Sequence, residues 1–235
     1  MNKFLTSPIL SIGVLYSSNF RIFKTPTGNI RCALLLEGAK LVFINRNSRE
    51  LNAKIVYVGP GGSGKTSNLR VIAERTDKEY VGELVCLERD RSHTAYFDFL
   101  PLSLGRIRGF RSRLLVYAIP GNIPFETSRR MIFNGVDVVV FVADSDPTRV
   151  QENLDCLTET YRLFDTYKID PAKVPFIFQL NKRDLPHAVP EYELIRLLST
   201  NDRPVFPAVA HTGKGVFDTF REASRRVLDK MKRPV

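Results

Sequence analysis

The run Lys54-Ile55-Val56-Tyr57-Val58-Gly59-Pro60-Gly61-Gly62-Ser63-Gly64-Lys65-Thr66-Ser67 joins an apolar, β-branched segment to a glycine-rich turn. The turn has the spacing G-x-x-x-x-G-K-[ST], here placed between a predicted strand and a predicted helix. Glycines let a backbone wrap closely around phosphate oxygens without Cβ clashes. Successive amides then point inward as an anion nest, and the helix starting near Lys65 adds its positive end. Lys65 is placed to reach the β- and γ-phosphates, and the Thr66 hydroxyl is placed to ligate Mg²⁺. Gly59, Gly61, Gly62, Ser63, Gly64, Lys65, Thr66 and Ser67 are therefore candidate nucleotide-binding residues. A merely structural glycine turn is the alternative, and the strand before it argues against that.

Outward from this loop the chain alternates strand and helix patterns. Strand-like runs cover Lys54 to Val58, Tyr96 to Leu100, Leu114 to Ile119, Asp137 to Ala143, Phe176 to Leu180 and Val205 to Ala210. Several are continuously apolar, as expected for strands covered on both faces. Helical stripes lie between them: Val150, Leu154, Leu157, Tyr161 and Phe164, and later Phe217, Phe220, Val227, Leu228 and Met231. Both stripes read as core. The alternation predicts an α/β fold with a mostly parallel sheet and helices on both faces. Such sheets hold ligands at the carboxyl ends of their strands.

The 235 residues suit one α/β domain plus an appendage, predicted as residues 1–40 followed by a nucleotide-binding domain over 41–235. Residues 1–40 read as fragments. A weak resemblance to a secretory signal is broken by Ser7, Pro8 and Ser11, and an upstream start codon or a disordered extension accounts for the segment better. Apolar residues at 43% and charged residues at 26% are ordinary for a globular protein, and no apolar run is long enough to span a membrane. Cys32, Cys86 and Cys156 form no CxxC pair and read as reduced thiols of a cytoplasmic protein. The net charge of +10 gathers in small clusters at Arg106 to Arg113, at Arg129 and Arg130, and near the C-terminus. A solvated basic surface, an acidic partner or peripheral membrane contact would each account for it. Charge alone supports nucleic-acid binding, no motif does, and none is expected.

A second motif follows the apolar run Phe176 to Leu180. It is Asn181-Lys182-Arg183-Asp184. A carboxylate at Asp184 can accept two hydrogen bonds from the N1–H and amine of guanine, and adenine offers no such donor pair. An unpaired buried carboxylate costs about 1–3 kcal/mol, so the site discriminates. Asn181 is expected to tie this segment to the phosphate loop while the Lys182 stem covers the base. A P-loop ATPase or kinase is the rival reading.

With both motifs placed, further segments resemble the MglA family of bacterial gliding-motility GTPases. They are Ser48 to Tyr57, Phe97 to Gly105, Ile107 to Phe110, Gly135 to Asp137, Val140 to Asp144, Asn181 to Pro186 and Gly215 to Thr219. The similarity spans about residues 41 to 233. It implies a Ras-like small-GTPase fold binding GTP or GDP with Mg²⁺, and a role in cell polarity or gliding-type motility, with placement at a cell pole. It also implies a Roadblock-domain GTPase-activating partner (MglB-like) and nucleotide-dependent effectors. Thr94 is matched to the switch threonine on Mg²⁺ and the γ-phosphate. Ala210 is matched to a backbone contact with guanine O6, although Val209 and His211 replace its usual neighbours.

Three departures bear on catalysis. Ala118-Ile-Pro-Gly121 lacks the aspartate that Ras-like proteins place before this glycine to hold Mg²⁺, as MglA-like chains also do, and Asp98 is the nearest candidate to compensate. Asn122 stands after Gly121 where the family places glutamine, one methylene longer, to orient the attacking water. His93 stands where the family places a cis arginine finger, and a mostly neutral imidazole cannot present a guanidinium fork. Arg91, two residues upstream, is the candidate substitute. Gly61 retains the glycine that hydrolysis requires in Ras-like proteins. The sequence thus predicts a switch with slow, partner-dependent hydrolysis, whose candidate catalytic residues are Asn122, Arg91, His93 and Gly121. A GTP-binding interaction protein with little turnover is the second reading.

Overall fold

The computed structural model describes residues 20–24, 30–34, 43–45, 49–87, 97–119 and 126–232. The chain divides into two units, Met1–Ala39 and Lys40–Val235. In the first, β1 (Phe20–Lys24) and β2 (Ile30–Leu34) form an antiparallel pair.

The second unit is built on β4 (Glu50–Val58), nine residues buried on both faces, apolar at Leu51, Ala53, Ile55 and Tyr57 on one and carrying Glu50, Asn52 and Lys54 on the other. One edge of β4 pairs in parallel with β7 (Phe110–Ala118) along nearly its whole length. The other edge pairs with β3 (Phe43–Asn45) at Glu50 to Asn52, then with β8 (Val138–Asp144) from Ile55 to Val58. Beyond β8 lie β9 (Phe176–Asn181) and β10 (Val205–Pro207), all parallel. Beyond β7, β6 (Phe97–Ile107) and β5 (Val85–Leu87) run antiparallel. Among the described residues this is one eight-stranded, mostly parallel sheet in the order β10-β9-β8-β4-β7-β6-β5, with β3 on β4. It is the fold of a P-loop small GTPase.

Helices α1 (Lys65–Arg75), α2 (Glu126–Phe133), α3 (Val150–Thr166), α4 (Glu191–Leu197) and α5 (Val216–Lys232) connect the strands. A core cluster packs α1 and α5 through Leu69, Ile72, Val216, Ala223, Val227 and Met231 onto Ala53, Ile55 and Val116 of the sheet. The opposite side carries an aromatic group in which Phe164 of α3 meets Phe133 and Phe176 edge-on. Lys54 links the sheet to α2, donating from Nζ to Met131 O (3.0 Å) and Asn134 O (2.8 Å).

Three sequence expectations are corrected. The buried face of α3 includes Asn153, Cys156, Thr160 and Leu163 beside Leu157 and Phe164, while Val150, Leu154 and Tyr161 are half-buried. Asn153 is inside because its amide both accepts from Asp144 N (2.9 Å) and donates to Asp144 O (2.8 Å), closing the end of β8. The strand expected from Val205 to Ala210 stops at Pro207, where the chain turns toward the base motif. Of the expected segment Tyr96 to Leu100, Phe97 to Leu100 open an eleven-residue strand, and Tyr96 lies outside the described residues. A turn at Arg108 (φ 53°) and Gly109 (φ 79°) joins that strand to β7, and positive φ at both positions is the hairpin geometry that matches strand twist.

Candidate nucleotide site

Three strand ends converge here: β4 into the glycine loop, β8 into Asp144 and β9 into Asn181. Gly59 leaves β4 so close to its neighbour that a Cβ there would sit 2.3 Å from Val142 O. Gly64 (φ 100°) is the left-handed residue from which α1 springs, and a Cβ on it would lie 2.1 Å from Asn181 Nδ2. Gly61 and Gly62 are exposed, with open space where their Cβ atoms would be. Ser63 is buried, and Ser67 is half-buried in the first turn of α1.

Lys65 folds back over the loop, donating from Nζ to Gly59 O (2.9 Å), Pro60 O (2.6 Å) and Ser63 Oγ (3.4 Å). Burial pushes its ammonium down to about 8, and Cys156, Asp98 and Asp144 only partly offset this. Cys156 lies on the α3 side of the loop, and burial pushes its thiol up to about 11. Lys54 is also lowered to about 8 by burial.

These values set a pH response. Above about 8 the unfolded chain keeps both lysine protons up to its own 10.5 while the folded chain has released them, so stability rises with pH. From 9.0 to about 11 the folded chain instead retains the Cys156 proton that the unfolded chain loses, which opposes the rise. Denaturant melts of the nucleotide-free chain should therefore steepen between about pH 8 and 9 and flatten beyond. Cys156→Ala should extend the rise, and Lys65→Met should weaken it.

Thr66 Oγ1 donates to Asp98 Oδ2 at 2.5 Å, which brings a carboxylate of β6 to the start of α1. Asp98 is half-buried and pairs across the ladder with Ala118. Ala118 stands at the position lacking an aspartate. The hydroxyl and carboxylate are hard oxygen donors of the kind Mg²⁺ takes. Thr94, Arg91, His93, Gly121 and Asn122 lie outside the described residues.

Asn181 bridges the two motifs. Its Nδ2 donates to Ser63 O (2.7 Å), and its Oδ1 accepts from Ala210 N (2.8 Å). The Ala210 N–H assigned by resemblance to guanine O6 is thus engaged with Asn181, and a base contact there requires an exchange of partners. Lys182 (φ 62°) turns the chain, and its Nζ pairs with the fully buried Asp144 Oδ2 at 2.6 Å. Asp184 is 44% exposed, at the mouth of the site, with His211 Nε2 4.0 Å away.

Arg149, at the entry to α3, has no counterpart in the sequence reading. Its Nη2 donates to Gly61 O (2.5 Å), its Nη1 pairs with Glu152 (2.7 Å), and its Nε faces Asp144 Oδ2 at 3.9 Å. A second unforeseen group is the reciprocal buried pair Asn68 and Gln179 (2.8 and 2.9 Å), which locks α1 to β9 behind the loop. Asn68 also donates to Gly64 O (2.9 Å), and Gln179 to Thr219 Oγ1 (2.9 Å). A polar residue at an inward position of an apolar run, as with Gln179, is the signal that could have found it.

Over 191 residues the chain is 46% identical to the mutual gliding-motility protein MglA of Myxococcus xanthus (strain DK1622), a match that covers 81% of this chain and 98% of that protein. The chain belongs to the MglA family. No protein-family model matches it. The Asp98–Thr66 contact lies beside Ala118, the ladder partner of Asp98. No helix of the described residues is long and apolar enough to cross a membrane.

Proposed function

We propose that this MglA-family protein is a guanine-nucleotide switch with slow intrinsic GTP hydrolysis, controlling cell polarity or gliding-type motility through nucleotide-dependent effectors. The observation that carries the reading is the Asn181 bridge from Ser63 O to Ala210 N. It ties the glycine loop to the segment that carries Asp184 three residues further on, which supports reading the two as a phosphate cradle and a base-reading carboxylate. The name of the similar Myxococcus protein supports the motility assignment.

In this reading the loop amides and Lys65 bind the phosphates, and Asp184 accepts from guanine. Thr66, Asp98 and Thr94 would hold Mg²⁺, which neutralises charge on the β- and γ-phosphates. Thr94 and the segment from Gly121 to Arg130 respond to the γ-phosphate, and effectors read that response. Asn122, or Arg91 acting beside His93, serves hydrolysis. A Roadblock-domain activator, cytoplasmic placement and enrichment at a cell pole complete the proposal.

Displacement of a fluorescent GDP analogue tests the base site. GTP should compete and ATP should not, and Asp184→Ala should weaken GTP by about 100-fold, the loss of a paired charge-assisted contact at a partly exposed residue. Equal competition by ATP would assign the chain to the ATPase reading.

Asn122 and His93 favour a second reading, a GTP-dependent interaction protein that hardly turns over. Single-turnover hydrolysis separates the two. A slow wild type accelerated on the order of 10²-fold or more by His93→Arg with Asn122→Gln means a weakened GTPase. A wild type as fast as the double variant means that other residues, Arg91 first, have taken those roles. If neither form turns over, the interaction-protein reading stands.

A further inference from the structure

The end of the sheet remote from the phosphate loop carries arginines that the nucleotide chemistry does not use. Arg106 and Arg111 face each other directly across the β6–β7 ladder, and Arg108 forms the turn between them. Arg111 is the lateral partner of Glu50 in β4, and Arg49 precedes that residue. Arg49, Arg106, Arg108 and Arg111 are exposed. Arg113 pairs with Glu50 at 3.7 Å.

The ribbon has two unlike faces. Ile107 and Phe110 are partners in the ladder and pack against the core cluster. Arg106, Arg111 and Arg113 share the other face, since Arg111 and Arg113 alternate with buried Ser112. Cross-strand neighbours hold their Cβ atoms about 5 Å apart, and alternate residues of a strand lie roughly 6.7 Å apart. Like charges directly opposite in a sheet are destabilising. The basic residues of α5 are arranged differently: Arg221, Arg225 and Arg226 each meet Asp218, Glu222 or Asp229 within 3.4 Å. The three arginines of α5 are matched by carboxylates, whereas Arg49, Arg106 and Arg111 meet no carboxylate among the described residues.

We infer that this arginine face is a docking surface for an anionic lipid bilayer. Arg106 and Arg111 are exposed on one face of the ribbon, which suits a plane of charge better than a threaded acidic peptide. Guanidinium forks match phosphate and carboxylate head groups. Phe110 turns inward, so the face lacks the aromatic platform on which single-stranded nucleic acid stacks. The chain's net charge of +10 orients approach to an extended negative surface. Glu50 and Val58 are opposite ends of β4, roughly 26 Å apart at the rise of a strand, so this surface is well separated from the phosphate loop.

The test is flotation of the full chain with phosphatidylcholine vesicles, with and without phosphatidylserine, at low and high salt. Binding should require phosphatidylserine and fall with salt. Arg106→Gln with Arg111→Gln should lower partitioning on the order of tenfold or more. The same double variant should melt no lower than wild type, because it removes a like-charge pair, so lost binding cannot be put down to misfolding. Arg221→Gln with Arg225→Gln removes equal charge from α5 and should leave partitioning nearly intact. No binding to phosphatidylserine vesicles, or an equal loss from the α5 variant, would overturn the inference. So would ribbon-dependent binding to duplex DNA or polyglutamate in place of vesicles.

Discussion

Lys65→Met should lose nucleotide binding by about 10³-fold while the nucleotide-free chain becomes no less stable. Each charge-assisted bond from an ammonium to a phosphate is worth about 1.5–3 kcal/mol, and two such bonds amount to roughly three decades of affinity. The folded chain already bears a cost for this group, which burial lowers to about 8 while it rests on Gly59 O and Pro60 O. A methionine of similar length removes that cost and keeps the packing. Displacement of fluorescent GDP reads the affinity, and a thermal melt reads the stability. Affinity within tenfold of wild type would place the phosphates elsewhere.

Gly64→Ala should destabilise the chain by about 3 kcal/mol, and Gly62→Ala by about 1. Both positions have positive φ, 100° and 73°, which costs a residue with a Cβ about 1–2 kcal/mol. They differ in surroundings. A Cβ at Gly64 would press on Asn181 Nδ2 at 2.1 Å, and one at Gly62 would meet nothing within 4 Å. Displacing Asn181 forfeits its bonds to Ser63 O and Ala210 N, with a further cost of about 1–3 kcal/mol. Urea unfolding of the two variants measures the difference. Equal destabilisation would mean that backbone strain alone acts and that the Asn181 bridge is slack. Nucleotide affinity should fall more than 100-fold in Gly64→Ala, because the bridge aligns the two motifs.

The loop at Gly59 to Thr66 was legible because its demands are local: glycines at fixed offsets after a strand, then lysine and threonine at a helix start. The central strands were legible for a similar reason, since continuous apolar runs at Ile55, Val138 and Phe176 belong to strands covered on both faces. The polar exceptions were not. Asn153 and Thr160 break the apolar stripe of α3 and are nevertheless buried, because each finds a backbone partner: Asp144 for the first and Cys156 O for the second. A three-residue strand such as β5, held by pairing with Phe97 to Phe99, carries too little pattern to stand out.

The sequence by itself determined the phosphate loop, the base motif, the alternating α/β order and the resemblance to the MglA family. Each is written in neighbouring residues or in a short period of hydrophobicity. Only the tertiary structure decided which distant groups complete the site. Asp98 reaches Thr66 across 32 residues, Arg149 reaches Gly61 across 88, and Asn181 reaches Ser63 across 118. Such contacts leave no period in the chain, because what brings the partners together is the register of β4 against β7 and β8. The register of β6 on β7 likewise stacks Arg106 opposite Arg111 and turns a scattered basic composition into one charged face.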